Sequence, residues 1–310
     1  MGDERDMYIA AIDTGGTKIT GAAVDEKGNI FDPIRVENTG RNGKFVIDTY
    51  SSIYSRLSEK YCFSALSIGA GGRLDREAGV VKSAVAIYTD YIGLNIKKEM
   101  EERFHLPVCI DNDCSMALRG ELWKGGLSSY HKVVSLILGT GVGGAVAVKK
   151  DSGEGWEVTQ AELGHFILHP DGRKCLCGQN GCVEKYLSGT ALWQSYNELV
   201  GEEPLSSGYE FFALVERKNP DAWKILEAFK NDLATCLISI QNIFEADAVL
   251  LGGGLIDTRQ YWWQGMLELV EKKRNKNLAP MAIQAALNGN QAAVLGAAKL
   301  ALEMLGEEKG

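Results

Sequence analysis

A histidine and three cysteines are spaced as ligands of one metal ion. His165 is followed by Cys175, Cys177 and Cys182, with nine, one and four residues between successive members. One imidazole and three thiolates complete the tetrahedral set of a structural zinc site and leave no position for a water nucleophile. The adjacency of Cys-x-Cys and a reducing compartment disfavour a disulfide, and the segment lacks a redox Cys-x-x-Cys pair. We therefore predict structural zinc, with His169 as the less favoured rival imidazole because a proline follows it.

Two carboxylates flank this segment. Glu162 stands three residues before His165, and Glu184 stands two residues after Cys182. If one imidazole nitrogen binds zinc, the other can hydrogen-bond to a ligand. The three polar side chains Glu162, His165 and Glu184 would then suit sugar hydroxyls, whereas each carboxylate taken singly is equally compatible with a solvated surface.

Three polar residues, Asp111, Asn112 and Asp113, end a predicted strand and begin a predicted helix. One of them is expected to cap the helix. Three in succession exceed what a cap needs, and a carboxylate beside a sugar hydroxyl can take its proton as the oxygen attacks phosphorus.

Three glycine-rich segments each follow a strand-like run: DTGGTK at 13–18, GTGVGG at 139–144 and LLGGGLID at 250–257. Such turns offer backbone N–H groups to an anion, and the third can admit a flat adenine ring close to the backbone. The first matches neither the P-loop nor the dinucleotide-binding fingerprint, and each segment alone is equally an ordinary hairpin. Their combination with Asp13, a candidate ligand of Mg²⁺ or its water, favours a nucleotide.

These residues lie in a chain whose predicted strands alternate with helices, which indicates an α/β fold. Strand-like runs cover 8–14, 19–24, 65–70, 108–111, 133–138, 145–149 and 248–251, and helical periodicity covers 46–60, 96–104, 115–123, 189–200, 222–244, 260–273 and 291–305. The segments AAIDTGGTKITGAAV and SLILGTGVGGAVAV both read as strand, glycine turn, strand, which suggests two related lobes. We predict a smaller lobe over 1–118, joined by a C-terminal helix at about 291–310, and a larger lobe over 119–290 with the zinc-binding segment.

Composition excludes several classes of partner. The 310 residues carry a net charge of −8, so no nucleic-acid partner is expected. The uncharged apolar run 133–148 is too short to span a membrane and is interrupted by glycines. The N-terminus shows no secretory pattern, and a cytoplasmic location is therefore expected.

Taken together, the motifs resemble those of the ROK family of sugar kinases and repressors, over almost the whole chain. IDTGGTK resembles the first phosphate motif, NDCSMALRGE the catalytic motif, LGTGVGGAVAV the second phosphate motif and LLGGG the adenosine motif. The segment from AELGH to CVEKYLSG resembles the family's most specific signature, in the form CxCGxxGCxE.

The resemblance implies the duplicated actin-like (ribonuclease-H-like) ATPase fold, with ATP and sugar in a cleft between two lobes that close on binding. It implies that Asp113 is the general base for the sugar 6-hydroxyl, that Asp13 positions Mg²⁺, and that zinc is structural. Sugar hydroxyls would be bound by Asn112, Asp113, Glu162, His165 and Glu184. The nucleotide and its phosphates would be bound by Asp13, Gly15, Gly16, Thr17, Lys18, Thr140, Gly141, Gly253 and Gly254.

The implied activity is ATP-dependent phosphorylation of a hexose, with glucose expected first and N-acetylmannosamine, N-acetylglucosamine, fructose or allose as alternatives. SAVAIYTDYIGLNI stands where the family usually has an Asn-Leu-x-x-Trp-like segment, and Gly72 and Arg73 stand in place of a Pro-Gly turn, which leaves the sugar open. Family repressors carry an N-terminal helix-turn-helix, for which a first strand beginning by Tyr8 is expected to leave no room. The intact Asp113 argues against a non-catalytic sugar-binding module, and a homodimer is the oligomer common among such relatives.

Overall fold

The computed structural model describes residues 7–40, 42–84, 89–153, 155–201 and 204–307. They form two compact units, the described parts of Met1–Ser129 with Leu287–Gly310, and of Tyr130–Ala286. Residues 85–88 of the predicted sugar-side segment lie outside the described residues. In the described ranges no helix combines the length and apolar character needed to span a membrane.

The strands, in chain order, are β1 (Tyr8–Thr14), β2 (Lys18–Asp25), β3 (Ile30–Glu37), β4 (Phe63–Ala70), β5 (Arg73–Asp75), β6 (Val80–Ser83), β7 (Val108–Asn112), β8 (Lys132–Leu138), β9 (Val142–Lys149), β10 (Trp156–Gln160), β11 (Ala248–Gly252) and β12 (Ala282–Ala285). The helices are α1 (Gly43–Ser58), α2 (Ile96–Phe104), α3 (Asp113–Lys124), α4 (Glu184–Leu187), α5 (Gly189–Val200), α6 (Gly208–Glu216), α7 (Pro220–Phe244), α8 (Trp263–Lys273) and α9 (Ala292–Glu307). Short 3₁₀ helices occupy Leu163–His165, Gly254–Tyr261 and Gly289–Gln291.

The first unit is built on a sheet of order β3-β2-β1-β4-β7, in which β1 pairs antiparallel with β2 and parallel with β4. The central strand β1 is covered on both faces. Ala10 and Ile12 belong to a core that includes residues of α1, whereas Ile9 and Ala11 belong to a core that includes residues of α9. A strand buried on both faces reads as a continuous hydrophobic run, which is why this run was visible in the sequence.

The second unit repeats the pattern with the order β10-β9-β8-β11-β12. Its first strand, β8, pairs antiparallel with β9 and parallel with β11, as β1 does with β2 and β4 in the first unit. The duplication suggested by the two glycine-containing hairpins is therefore confirmed. In each unit a glycine turn joins the central strand to its antiparallel neighbour.

The predicted boundary at 118 is wrong, because α3 packs as a whole on α9. A Cβ on Gly120 would lie 1.9 Å from the Ala292 carbonyl oxygen, and one on Gly296 would lie 1.7 Å from that of Met116. Glycine at both positions thus permits backbone contact between the two helices. The first unit consequently runs to Ser129 and resumes at Leu287, and the two units are nearly equal in length.

Candidate active site

The junction between β7 and α3 places Asp113 at the first position of a helix. Asn112 is the N-cap: its side-chain oxygen accepts hydrogen bonds from the N–H groups of Cys114 (2.9 Å) and Ser115 (3.2 Å). Its Nδ2 donates to the Gly72 carbonyl (3.0 Å) and to Asp113 Oδ1 (2.8 Å). Two bonds accepted and two donated use the ordinary capacity of the amide, so Asn112 caps the helix and orients Asp113.

The buried carboxylate of Asp111, the residue before Asn112, stabilises the junction between β7 and α3. Asp111 is 1% exposed, and its Oδ1 accepts the Asn112 backbone N–H at 2.7 Å. Arg76 Nη1 lies 3.2 Å from Asp111 Oδ2. Burial raises the pKa of Asp111, while the charge of Arg76 and the Asn112 N–H act in the opposite direction. No sequence pattern pointed to Arg76, because it lies far from Asp111 in the chain.

The negative charges of Asp113 and Asp13 interact, and both carboxyl groups have raised pKa values. Burial raises the pKa of Asp113 to about 6, against the opposing effect of the Cys114 N–H and the Asn112 amide. Burial and the charge of Asp113 raise the pKa of Asp13 to about 7, and Lys18 acts in the opposite direction. A carboxylate with a pKa near 6 is ionised at neutral pH yet basic enough to accept a proton from a hydroxyl. The two groups interact, so their titration belongs to the pair.

The first glycine turn connects β1 to β2 immediately after Asp13. Gly15 N–H donates to the Lys18 carbonyl at 2.9 Å, and Gly16 and Thr17 at the tip are exposed. Asn38, which the sequence analysis missed, holds the turn from the end of β3. Its Nδ2 donates to the Gly15 carbonyl (2.9 Å), and its N–H donates to the Thr17 carbonyl (2.9 Å).

An open groove runs beside this turn. It is lined by residues that include Thr17, Lys18 and Arg35. Its lining also includes the carboxylate of Glu37, so the two cationic side chains and the hydroxyl next to the glycine turn could meet an anion only on the side away from Glu37.

The second glycine turn, residues 139–141, connects β8 to β9. Gly139 N–H donates to the Gly141 carbonyl at 3.0 Å. In the part of the chain that the structure describes, the N–H groups of Thr140 and Gly141 have no acceptor, and both lie at the tip of the turn. These are the groups that an anion would meet.

The third glycine segment ends β11. Gly253 has a φ of +86°, and a Cβ there would lie 2.4 Å from the Leu138 carbonyl oxygen. Glycine is therefore required at this position. A Cβ on the next residue, Gly254, would meet nothing within 4 Å, so a flat ligand could approach the backbone at this point.

Three predicted sugar ligands lie in the second unit. Glu162 is exposed and accepts a hydrogen bond from Gln160 Nε2 at 3.0 Å, and its carbonyl accepts the His165 N–H at 2.9 Å. Glu184 begins α4 and, unexpectedly, reaches the second glycine turn: Val142 N–H donates to its Oε2 at 3.0 Å. The other two predicted ligands, Asn112 and Asp113, belong to the first unit.

The four predicted metal ligands come together. The ligand atoms of His165, Cys175, Cys177 and Cys182 all lie within 4.8 Å of one another. His165 Nδ1 is 3.7 Å from Cys175 Sγ, and the sulfur atoms of Cys177 and Cys182 are 3.5 Å apart. Zinc–sulfur bonds of about 2.3 Å in a tetrahedron place sulfurs about 3.8 Å apart, so the set fits zinc.

The Cys182 side chain is a free thiol that would ionise only beside a cation. Cys182 is not disulfide-bonded, and burial together with its bonds to Cys177 and Cys175 raises its pKa to about 12. A cation is needed to hold such a thiol as thiolate at neutral pH. The rival imidazole, His169, instead pairs through Nε2 with Asp232 Oδ1 at 2.9 Å.

The chain is similar to known proteins over almost its whole length. The sequence model of the ROK family matches residues 9–304. Glucokinase of Streptomyces coelicolor is 30% identical over 94% of this chain and 96% of its own length. N-acetyl-D-glucosamine kinase of Shigella sonnei is 29% identical over 96% of this chain and 99% of its own length. A crystal structure of a ROK family glucokinase from Streptomyces griseus, in complex with glucose and AMPPNP, superposes with a TM-score of 0.81 at 27% identity, covering 96% of this chain and 99% of that one.

Proposed function

The chain belongs to the ROK family, and we propose that it is an ATP-dependent sugar kinase that transfers the γ-phosphoryl group to the 6-hydroxyl of a hexose, with glucose as the first candidate. The observation that carries this proposal is Asp113. It is a half-buried carboxylate with a pKa of about 6, and Asn112 and the Cys114 N–H hold it at a helix N-terminus. The glucokinase and N-acetylglucosamine kinase relatives support a sugar as the acceptor.

In the proposed reaction Asp113 accepts the proton of the sugar hydroxyl as its oxygen attacks the γ-phosphorus. The terminal phosphoryl group passes to that oxygen, and ADP leaves with the electrons of the broken bond. Because the transition state is loose, catalysis depends mainly on alignment and on stabilisation of phosphoryl charge. The free N–H groups of Thr140 and Gly141 and the ammonium of Lys18 are the chain's own groups suited to that charge.

The metals have separate proposed roles. Mg²⁺, which would enter with ATP, supplies charge neutralisation on the phosphates, and Asp13 is the carboxylate suited to hold it or its water. His165, Cys175, Cys177 and Cys182 would hold a structural zinc ion. Nδ1 of His165 faces Cys175, which leaves Nε2 for a hydrogen bond to a sugar hydroxyl.

The acceptor within the sugar class is a choice between a hexose and an N-acetylhexosamine. Relatives of both kinds match over almost the whole chain at nearly the same identity. We propose glucose first because the predicted sugar-binding side chains other than Asp113 are all present in the sequence: Asn112, Glu162, His165 and Glu184.

The test is ADP formation from ATP and Mg²⁺ in a coupled assay, with a panel of hexoses and their N-acetyl forms. Asp113→Asn should lower kcat by about 10²–10⁴-fold, the usual contribution of a general base. Asp25→Asn, a change of a partly exposed carboxylate in the same unit, is the matched control and should leave kcat unchanged. ADP formation that no sugar stimulates, or a fully active Asp113→Asn, would contradict the proposal.

A further inference from the structure

The second glycine turn is held by the segment that carries the metal ligands. Ala161 N–H donates to the Gly144 carbonyl at 3.0 Å, and Gly189 N–H donates to the Gly139 carbonyl at 2.8 Å. A Cβ on Gly164 would lie 2.0 Å from the Val142 carbonyl oxygen, so backbone meets backbone there. The turn is therefore fixed at both ends by main-chain contacts.

One side chain completes this support, and it belongs to Glu184. Its Oε2 accepts the Val142 N–H at 3.0 Å, and a Cβ on Gly141 would lie 2.4 Å from the same oxygen. Glycine at 141 thus gives the carboxylate room to reach the turn. Glu184 is itself placed by its neighbours, since Val183 N–H donates to the Phe166 carbonyl at 3.0 Å.

This contact determines which donors of the turn remain available. The Val142 N–H is used by Glu184 and the Gly139 N–H by the Gly141 carbonyl. The described residues offer no acceptor to the N–H groups of Thr140 and Gly141 between them. Satisfying the flanking donors fixes the direction in which the two central N–H groups point.

We propose that Glu184 is a positioning residue for the nucleotide-binding turn, in addition to any contact it makes with sugar. Its carboxylate holds residues 139–142 so that the Thr140 and Gly141 N–H groups are ready for a phosphate before a sugar is present. The proposal rests on the proposed kinase function, because it takes the ligand of the turn to be a nucleotide phosphate. It differs from a purely sugar-binding role for Glu184 in predicting an effect on nucleotide affinity without sugar.

Two substitutions separate the hydrogen bond from the charge. Glu184→Gln keeps an oxygen that can accept the Val142 N–H but removes the negative charge near the phosphates. Glu184→Ala removes both. In calorimetric titration of the full-length protein with AMPPNP and Mg²⁺, without sugar, Glu184→Ala should bind about tenfold more weakly than Glu184→Gln.

A double-mutant cycle with Gly141→Ala provides a second readout. The added methyl group retains the Gly141 N–H but displaces the carboxylate of Glu184, so it should weaken AMPPNP binding in the wild-type background. In the Glu184→Ala background the obstructing oxygen is gone, and the same methyl group should add little. Circular dichroism and the unfolding midpoint verify that each variant is folded.

The outcomes are distinct. If wild-type protein binds AMPPNP while the Gln and Ala variants bind it within twofold of each other, and only sugar affinity falls, Glu184 does not position the turn. Additive effects of Gly141→Ala and Glu184→Ala would overturn the inference in the same way. Failure of the wild-type protein to bind AMPPNP would instead remove the proposed kinase function, and the inference with it.

Discussion

Replacing Asp113 by Asn should greatly slow catalysis and, at the same time, stabilise the folded protein. The pKa of Asp113 is raised from 3.8 to about 6. At 1.36 kcal/mol per pH unit, keeping this carboxyl ionised lowers the free energy of unfolding by about 3 kcal/mol. The cost arises from burial, and the asparagine side chain avoids it. The hydrogen bonds survive, because its Oδ1 can still accept from Cys114 N–H and Asn112 Nδ2.

The sign of the pH dependence follows from linkage. A carboxyl with a raised pKa in the folded state costs nothing below its unfolded pKa, and stability is lost as pH rises through about 6. The advantage of Asp113→Asn over wild type should therefore be small near pH 4 and reach as much as about 3 kcal/mol at pH 8. The charge of Asp113 also raises the pKa of Asp13. Removing that charge should bring the pKa of Asp13 closer to its usual value, which further stabilises the variant at neutral pH.

The assay is urea unfolding of both proteins between pH 4 and pH 8. Asp25→Asn is the control of opposite sign. Slight burial raises the pKa of Asp25, but hydrogen bonds from Asn29 and Lys27 outweigh it, so its pKa lies below the usual value. Its replacement should reduce stability at neutral pH. The reasoning would be refuted if Asp113→Asn were no more stable than wild type at pH 8. It would also be refuted if the difference in the free energy of unfolding between the two proteins were the same at pH 4 and pH 8.

Three further changes test other parts of the structure. By elemental analysis, Cys177→Ser should lower bound zinc from about one ion per chain to none. Cys62→Ser, which lies outside the cluster, should leave the zinc content unchanged. A full complement of zinc in Cys177→Ser would contradict the assigned ligand set. Arg76→Ala should reduce kcat at least about tenfold with little change in KM for ATP, because its partner Asp111 holds the backbone just before Asp113. Arg76→Lys should recover most of the loss. Equal activity of all three proteins would show that this ion pair has no positioning role. Gly120→Ala should lower the free energy of unfolding by about 2 kcal/mol, since the methyl group would meet a carbonyl of α9, whereas Gly306→Ala, with open space around it, should be neutral or stabilising.

The buried core of the fold was predictable from the sequence. β1 (Tyr8–Thr14), α2 (Ile96–Phe104) and α5 (Gly189–Val200) lie where the pattern placed them. Each combines clear periodicity or a continuous apolar run with a polar or glycine boundary. Local signals decide these elements because burial and propensity favour the same structure.

Edge strands were missed for a physical reason. β3 (Ile30–Glu37) contains Asp32 and Pro33, and most of its residues are partly or fully exposed. Proline is tolerated only where its missing N–H faces no partner strand, as at a sheet edge. Such a strand is defined by pairing with β2 rather than by its own composition, so its sequence reads as a loop.

The site shows the same division between local and long-range information. The metal ligands and the Asp111–Asp113 run were visible because their members are close in the chain. The contacts of Arg76 with Asp111, of Asn38 with Gly15 and of Glu184 with Val142 join distant segments and carry no spacing signal. These supporting contacts orient the candidate ligands, and only the structure shows them.

The central claim is that Asp113 serves sugar phosphorylation. The most direct measurement is phosphorus and carbon NMR of the products formed from ATP, Mg²⁺ and the sugar that most stimulates ADP release. The account predicts one sugar 6-phosphate per ADP with wild-type protein and almost none with Asp113→Asn. Free inorganic phosphate in place of sugar phosphate, or equal product from the two proteins, would contradict it.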